Sequence, residues 1–323
     1  MSDQIPEIAL EWHSAGRGAA LATVVETWGS APRQAGSQLV ISGAGDIMGS
    51  VSGGCVEGAV VLEAVEAIAD GRPRVLTYGV SDNEAFAVGL ACGGTIRILV
   101  DPVADTGLPR DLLERLVAAR AAGSPVGVVA VLQGGARTLV AAGADAAVDA
   151  RLRADRSGME EDGRFIAVHN PPLRLILVGA VHIAQPLMTM ARACGYAPML
   201  IDPRESFGAA ARFPGETILH DWPDEALAAL APDARTAIVT LTHDPKLDDP
   251  AIRVALGSAA FYLGCLGSSR THAKRVERLT AAGFVAADIA RIHAPVGLNI
   301  GAKSPAEIAV SIMAQITAVL RGA

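Results

Sequence analysis

Residues 173–202, LRLILVGAVHIAQPLMTMARACGYAPMLID, decide the fold of the second half of the chain. The stretch begins with an apolar run at 173–178, places apolar residues at helical spacing from Ile183 to Cys194, and ends in a second apolar run before Asp202. A strand, a helix and a further strand in this order are typical of a βαβ unit, whose strands pair in parallel. The sequence therefore predicts a parallel sheet in this half.

The same alternation continues towards the C-terminal end. We expect strands at 217–220, 237–241 and 259–263, with helices at 224–230, 249–256 and 270–282. Ser304 and Glu307 form a capping box around Pro305 and predict a closing helix that ends near Leu320. This pattern predicts a Rossmann-like, doubly wound parallel sheet.

The turn after the first of these strands resembles a dinucleotide-binding turn but is incomplete. Gly179 to Ala184 occupies the place of the G-x-G-x-x-G/A motif, and Asp202 lies where the ribose-binding acid is expected. Val181 replaces the second glycine, which lets the backbone approach a pyrophosphate. We therefore expect no tight binding of NAD or NADP. Gly179 and His182 stay candidate ligand contacts, although His182 could equally be an incidental residue at the start of a helix.

Two further loops follow strands of the predicted sheet and carry more polar residues than packing requires. One contains His243 and Asp244, which are either an acid/base pair or a turn in which Asp244 caps a helix. The other contains Gly267, Ser268 and Arg270 at the start of a helix, which suits an oxyanion or a phosphate. Loops at the carboxyl ends of parallel strands gather at one edge of the sheet, where doubly wound folds bind ligands.

The functional centre of the first half is placed at residues 49–58, GSVSGGCVEG. Its glycines permit a tight turn, and apolar residues at helical spacing follow from Val56 to Ala69. Cys55 would then open a helix, where an anion and a thiolate are both favoured. A mirrored sequence, Cys-Gly-Gly, stands at 92–94. The candidate site residues are Gly53, Gly54, Cys55, Cys92, Gly93 and Gly94. The alternative is that both cysteines are small buried apolar residues.

The rest of the first half predicts a mixed α+β domain. Helices are expected at 5–14 and 109–122, and strands at 19–28, 38–42, 46–51, 74–78, 95–101, 125–132, 138–142 and 164–168. Residues 143–163 are polar and lack periodicity, so we expect an exposed and mobile stretch there. The consecutive Pro171 and Pro172 stop helix and strand alike. We therefore divide the chain into domains 1–170 and 171–323.

Composition excludes several classes of protein. A chain of 323 residues favours two domains, and a formal net charge of -7 without a dense Lys/Arg run argues against nucleic acid as a partner. No signal pattern or apolar run of about 18 residues is present, so we expect a cytoplasmic protein without a membrane span. The four cysteines form no Cys-x-x-Cys pair, which argues against a zinc ribbon. Cys194 and Cys265 are expected to be structural.

Residues 27–33 (TWGSAPR), 49–57 and 92–94 together resemble the xanthine dehydrogenase accessory (XdhC/CoxI) proteins, and the resemblance covers nearly the whole chain. It implies a molybdenum cofactor chaperone, an accessory protein and not an enzyme. Such a protein binds the pyranopterin cofactor, protects it during sulfuration and assists its insertion into a xanthine dehydrogenase-type molybdenum hydroxylase. It also implies that Glu57 belongs to the cofactor site and that the loop of Arg33 lies near the cysteines, so Arg33 either contacts an anionic ligand or is a solvated loop charge.

The resemblance also implies partners for the protein, and two other functions are alternatives to the chaperone. The expected partners are the molybdenum hydroxylase client, a cysteine desulfurase and a second copy of the chain in a homodimer. One rival is an NAD(P)-dependent oxidoreductase, which Val181 disfavours; the other is a sulfur carrier or transferase that acts through a Cys55 persulfide. Since each half has ligand-like turns and neither has a complete catalytic set, we expect the cofactor to bind between the two domains.

Overall fold

The computed structural model describes residues 4–29, 33–79, 94–132, 136–209 and 211–322. The chain divides into two compact units, residues 2–171 and residues 172–323. Each unit has its own hydrophobic clusters. Within the described ranges, no helix is long and apolar enough to cross a membrane.

The first unit combines helices with two antiparallel sheets. Its helices are α1 (Ile5–Ser14), α2 (Glu57–Asp70), α3 (Arg110–Ala121) and α4 (Ala146–Ala154). Its strands are β1 (Ala19–Trp28), β2 (Gln38–Ser42), β3 (Ile47–Gly49), β4 (Arg74–Tyr78), β5 (Thr95–Pro102), β6 (Val126–Val131), β7 (Arg137–Ala141), β8 (Gly158–Met159) and β9 (Arg164–His169). The strand orders are β3-β2-β1-β5-β4 and β7-β6-β9-β8. The expected mixed α+β architecture is confirmed.

Helix α2 is held on the five-stranded sheet by one apolar face. Val60, Ala64 and Ala67 recur at helical spacing, and all three are fully buried against residues of β1, β2 and β5. The hairpin of β2 and β3 leads directly into the turn before α2. Gly49 ends β3 with a φ of +94°, and a Cβ atom there would lie 2.4 Å from the carbonyl oxygen of Gln38. The chain can enter the turn in this way only with glycine at position 49.

The expectation of an exposed, mobile stretch at 143–163 is wrong in its main part. Helix α4 forms there because the Asp145 side chain accepts hydrogen bonds from the backbone nitrogens of Ala147 and Val148. Val148 and Leu152, one turn apart, are buried against Val129 and other residues of the four-stranded sheet. Two apolar residues on a nine-residue helix give too weak a periodicity to be recognised from sequence.

The second unit is a single parallel sheet with helices on both faces. Its strands are β10 (Leu173–Val178), β11 (Tyr196–Ile201), β12 (Ile218–Leu219), β13 (Thr236–Thr240), β14 (Tyr262–Cys265) and β15 (Ile292–His293). Its helices are α5 (Ala184–Ala193), α6 (Pro223–Leu230), α7 (Pro245–Gly257), α8 (Ser269–Ala281), α9 (Ala286–Ile289) and α10 (Pro305–Arg321). The order β12-β11-β10-β13-β14-β15 corresponds to strands 3-2-1-4-5-6 of a Rossmann sheet. This confirms the predicted fold.

Strand β10 shows why the sheet needs helices on both faces. Leu175 and Leu177 belong to the cluster that includes α5 and α10, whereas Ile176 and Val178 belong to the cluster that includes α6 and α7. Alternate side chains of a strand point to opposite faces, so the apolar run at 175–178 must be covered on both faces of the sheet. The strand order reverses between β10 and β13, and the loops after these two strands meet at the carboxyl edge.

Candidate functional site

The glycine-rich turn of the first unit is organised around the carboxylate of Glu57. Oε1 accepts hydrogen bonds from the hydroxyl of Ser50 at 2.8 Å and from the backbone nitrogens of Val51, Ser52 and Gly53 at 3.2, 2.9 and 3.1 Å. Oε2 accepts from the backbone nitrogen of Gly54 at 2.9 Å and from the hydroxyl of Ser52. The turn therefore wraps its own donors around an internal anion.

The electrostatics of Glu57 agree with this geometry. Glu57 is 9% exposed. Burial alone would raise its pKa, but the hydrogen bonds from Ser52 and Ser50 outweigh that effect and lower the pKa to about 2. The carboxylate is thus ionised at neutral pH, and the backbone N–H groups of Gly53 and Gly54 are directed at it. From the sequence, Glu57 was expected at the site only because of the family resemblance. The structure shows that its carboxylate shapes the turn.

Cys55 lies in this turn, half-buried, and packs against the core under α2. The expectation that Cys55 opens the helix is wrong by two residues, because Val56 is the N-cap and Glu57 the first helical residue. The thiol nevertheless stands just before the N-terminal end of α2, where the helix dipole favours a negative charge. Contact of Gly53, Gly54, Cys55 or Glu57 with a ligand stays a prediction.

The remaining predicted residues of the first unit are only partly described. Cys92 and Gly93 lie outside the described residues. Gly94 is buried directly before β5, and Arg33 is exposed in the loop between β1 and β2.

In the second unit, the acid at the end of β11 is tied to the glycine turn after β10. Asp202 is fully buried, and its Oδ2 accepts a hydrogen bond from the backbone nitrogen of Ala180 at 2.7 Å. The backbone nitrogen, Nε and Nη2 of Arg204 donate to the same carboxylate. Each oxygen of Asp202 thus accepts two hydrogen bonds from the protein itself, which fills the about four lone-pair positions of a carboxylate.

The glycine turn itself packs closely on the neighbouring strand. Gly179 has a φ of +112°, and a Cβ atom there would lie 2.5 Å from Cγ2 of Thr242. Val181 is half-buried and packs on the apolar core, while His182 is exposed. The structure thus brings Gly179 beside the loop that carries His243, and it leaves the His182 side chain facing solvent.

The loops after β13 and β14 meet at a basic cavity of about 270 Å³. Its lining includes His243 from the first loop and Arg270 from α8, which the sequence predicted, together with Lys274 and Arg275. Gly267 lies close to the imidazole, because a Cβ atom at position 267 would be 3.6 Å from Nδ1 of His243. The structure therefore brings His243 and Arg270 to one cavity.

Ser268, itself a predicted site residue, and Asp244 both act as helix caps. The Ser268 hydroxyl accepts the backbone N–H of Thr271 and caps α8. The Asp244 side chain accepts the backbone N–H of Lys246 and caps α7, as the second interpretation of the His243–Asp244 pair expected. Helix α7 therefore starts at Pro245, four residues before the predicted start.

Sequence reasoning missed Asp248, Lys274 and Arg275 of this cavity. Arg275 shares the buried face of α8 with Leu279, one turn further along the helix. A charge at a core-facing position of an amphipathic helix is the feature that would have identified it. Cys265 ends β14 in the core, where burial raises the pKa of its thiol to about 11; Cys194 is exposed at the end of α5.

Both units of the chain match the same protein family. Residues 175–316 match the XdhC Rossmann domain, and residues 12–79 match the XdhC and CoxI family. The chain is 32% identical to the molybdenum cofactor insertion chaperone PaoD of Escherichia coli (strain K12), over 98% of this chain and 87% of that protein. It is 28% identical to a probable xanthine dehydrogenase subunit of Bacillus subtilis (strain 168), over 92% of each chain.

A solved structure is also similar. The crystal structure of a xanthine dehydrogenase from Bacillus halodurans superposes with a TM-score of 0.79 at 26% sequence identity, covering 100% of this chain and 96% of that one.

Proposed function

Because the chain belongs to the XdhC and CoxI family, we propose that it is a molybdenum cofactor chaperone, which protects the cofactor during sulfuration and assists its insertion into a xanthine dehydrogenase-type molybdenum hydroxylase. The observation that carries this proposal is the similarity to an insertion chaperone along almost the entire chain. The cofactor is the cargo of such a protein, and the proposed partners are the hydroxylase client, a cysteine desulfurase and a second copy of this chain. The proposed compartment is the cytoplasm.

In the first unit, we place the cofactor contact at Cys55. The six donors on Glu57 hold the turn in one conformation, so the thiol is presented by a rigid backbone and not by a loose loop. A thiolate is a soft ligand, suited to molybdenum or to a sulfur atom in transfer. Cys92, Gly94 and Arg33 are proposed to belong to the same site. Glu57 then serves it by shaping the turn.

The test is cofactor content after purification from a host that makes the molybdenum cofactor. Wild-type protein, Cys55→Ala and Cys194→Ala are compared, with bound pterin measured by fluorescence after oxidative release. Cys194 is the matched control because it is an exposed thiol at the end of α5 and is not part of the glycine-rich turn. We expect Cys55→Ala to retain about tenfold less cofactor than either of the others. Equal retention by both variants would remove Cys55 from the site.

An assay with the client enzyme distinguishes a protein that delivers the molybdenum cofactor from one that only transfers sulfur. Cofactor-loaded protein is mixed with cofactor-free hydroxylase, and the appearance of hydroxylase activity is followed. If instead the protein carries a persulfide on Cys55 after incubation with a desulfurase, and holds no pterin, it is a sulfur carrier and the chaperone proposal fails.

A further inference from the structure

Helix α8 carries a buried arginine, Arg275, most of whose donors make no hydrogen bond within the described part of the fold. Arg275 is 2% exposed, and its Nη2 donates to the carbonyl oxygen of Leu266 at 3.1 Å. Its Nε and Nη1 have no hydrogen-bond partner among the described residues. A guanidinium has five N–H donors, and burying them without acceptors costs free energy. The arrangement therefore calls for an acceptor that is not part of the described chain.

The acid beside this arginine does not supply that acceptor. Asp248 Oδ2 lies 3.8 Å from Arg275 Nη2, which is beyond hydrogen-bonding distance. Its other oxygen, Oδ1, accepts from the hydroxyl of Thr242 at 2.6 Å. Burial raises the pKa of Asp248, although Thr242 and Arg275 act in the opposite direction. The carboxyl group is thus a weak counter-charge for the guanidinium.

Both side chains line the basic cavity, and further cations surround it. Arg270 and Lys274 are exposed at its wall and form no ion pair with any residue that the structure describes. Arg278 is already engaged, because its Nη2 donates to Asp249 Oδ1 at 2.9 Å. Helix α8 begins at Ser269, so its first backbone N–H groups and the positive end of its dipole lie near Arg270.

We propose that this cavity is a binding site for a phosphoryl oxyanion, a phosphate monoester or a pyrophosphate group, in which Arg275 and Arg270 donate to the oxygens and Lys274 adds charge. Planar guanidinium groups bind phosphate oxygens through paired hydrogen bonds. Three cations that lack a full counter-charge suit a dianion better than a single carboxylate. The volume of about 270 Å³ admits such a group, since a single water needs only about 10–15 Å³.

Two kinds of molecule carry this chemistry: a pterin phosphate ester and a nucleotide. The proposal of an oxyanion site depends only on the cavity and on the unsatisfied donors of Arg275. Its assignment to the phosphate of a pterin cofactor rests on the proposed function. The two claims are therefore tested with different probes.

The first experiment titrates the full chain with inorganic phosphate and with pyrophosphate in a calorimeter. We expect saturable binding of pyrophosphate, weakened about tenfold or more in Arg275→Met and in Arg270→Gln. The matched control is Arg253→Gln, which removes an exposed arginine of α7 that does not line the cavity. Its affinity should stay within about twofold of the wild type, since a surface charge outside the site contributes little.

Two results would overturn the site: no saturable binding of either anion to the folded wild type, or equal affinities in wild type, Arg270→Gln and Arg253→Gln. Arg270 is exposed, so this comparison decides the matter even if Arg275→Met fails to fold.

The second experiment identifies the source by competition. A pterin phosphate ester and a nucleoside 5′-monophosphate are each used to displace pyrophosphate, and the tighter competitor is the class of ligand. If neither competes, the cavity does not bind a phosphate ester, and its assignment to a pterin phosphate or a nucleotide is wrong. Because these titrations need neither molybdenum nor a client enzyme, their failure leaves the chaperone proposal standing, and the reverse also holds.

Discussion

The carboxylate of Asp202 lies 2.7 Å from the backbone nitrogen of Ala180 and accepts its hydrogen bond. Arg204 supplies three further donors to the same group. In Rossmann domains the acid at this place hydrogen-bonds a ribose hydroxyl. Here the protein's own donors take its lone pairs, and Val181 additionally occupies the place of the second glycine of the turn.

We predict that NAD is excluded for two separate reasons: the Asp202 carboxylate is already hydrogen-bonded, and the Val181 side chain blocks the approach of a pyrophosphate. The wild type should show no saturable NADH binding up to about millimolar concentrations, measured by calorimetry. Val181→Gly alone should not restore binding, because Asp202 stays tied to Ala180 and Arg204. A micromolar dissociation constant for the wild type would contradict the prediction. If Val181→Gly bound NADH with a micromolar dissociation constant and the wild type did not, the side chain at position 181 would be the whole obstacle.

Replacing Glu57 by glutamine should destabilise the first unit. A neutral amide cannot accept from all six donors of the turn, and its NH₂ group would face N–H and O–H donors. We expect a loss of about 2–4 kcal/mol in the free energy of unfolding, measured by urea titration. The control is Glu66→Gln on the same helix, whose carboxylate is 73% exposed and 3.5 Å from Arg74. Its effect should stay below about 1 kcal/mol. Equal effects of the two changes would mean that Glu57 does not organise the turn.

The contribution of Glu57 should depend on pH in a defined window. Its pKa in the folded protein is about 2, compared with 4.5 for an unperturbed glutamate. A depressed carboxyl pKa stabilises the folded state above the unfolded value, and that stabilisation is lost as the pH falls through the folded value. The stability difference between wild type and Glu57→Gln should therefore be constant from pH 7 to about pH 5 and shrink below it. A difference that grows on acidification would refute the ionised state of Glu57.

Gly49→Ala should be strongly destabilising, whereas Gly58→Ala should not. At position 49 a Cβ atom would lie 2.4 Å from the carbonyl oxygen of Gln38, at a φ of +94°. We expect a loss of about 2–4 kcal/mol. Gly58 lies in the first turn of α2 with nothing within 4 Å of an added Cβ. Alanine there should stabilise by about 0.5–1 kcal/mol, because it lowers the entropy of the unfolded chain. Urea unfolding of both variants measures the contrast, and a mild effect at position 49 would contradict the steric argument.

Several elements could be predicted because local sequence is sufficient for them. Strand β10 (Leu173–Val178) is apolar except for Arg174, and α10 begins at a capping box with a proline at its first position. Helix α4 could not be predicted, since much of its stability comes from Val148 and Leu152 buried against Val129 and Ile166 of the four-stranded sheet. Tertiary packing overrides weak periodicity in such cases.

The sequence by itself determined the parallel sheet of the second unit, the glycine-rich turn around Cys55, and the family. These follow from hydrophobic periodicity and from residue types in a fixed order along the chain. Only the tertiary structure decided what the charged groups do: Glu57 turns inward and accepts from six donors, Asp202 accepts four hydrogen bonds from Ala180 and Arg204, and Arg275 is buried with unused donors. The physical reason is that the energy of a charge depends on burial and on partners brought together by folding, and neither is a property of the local sequence.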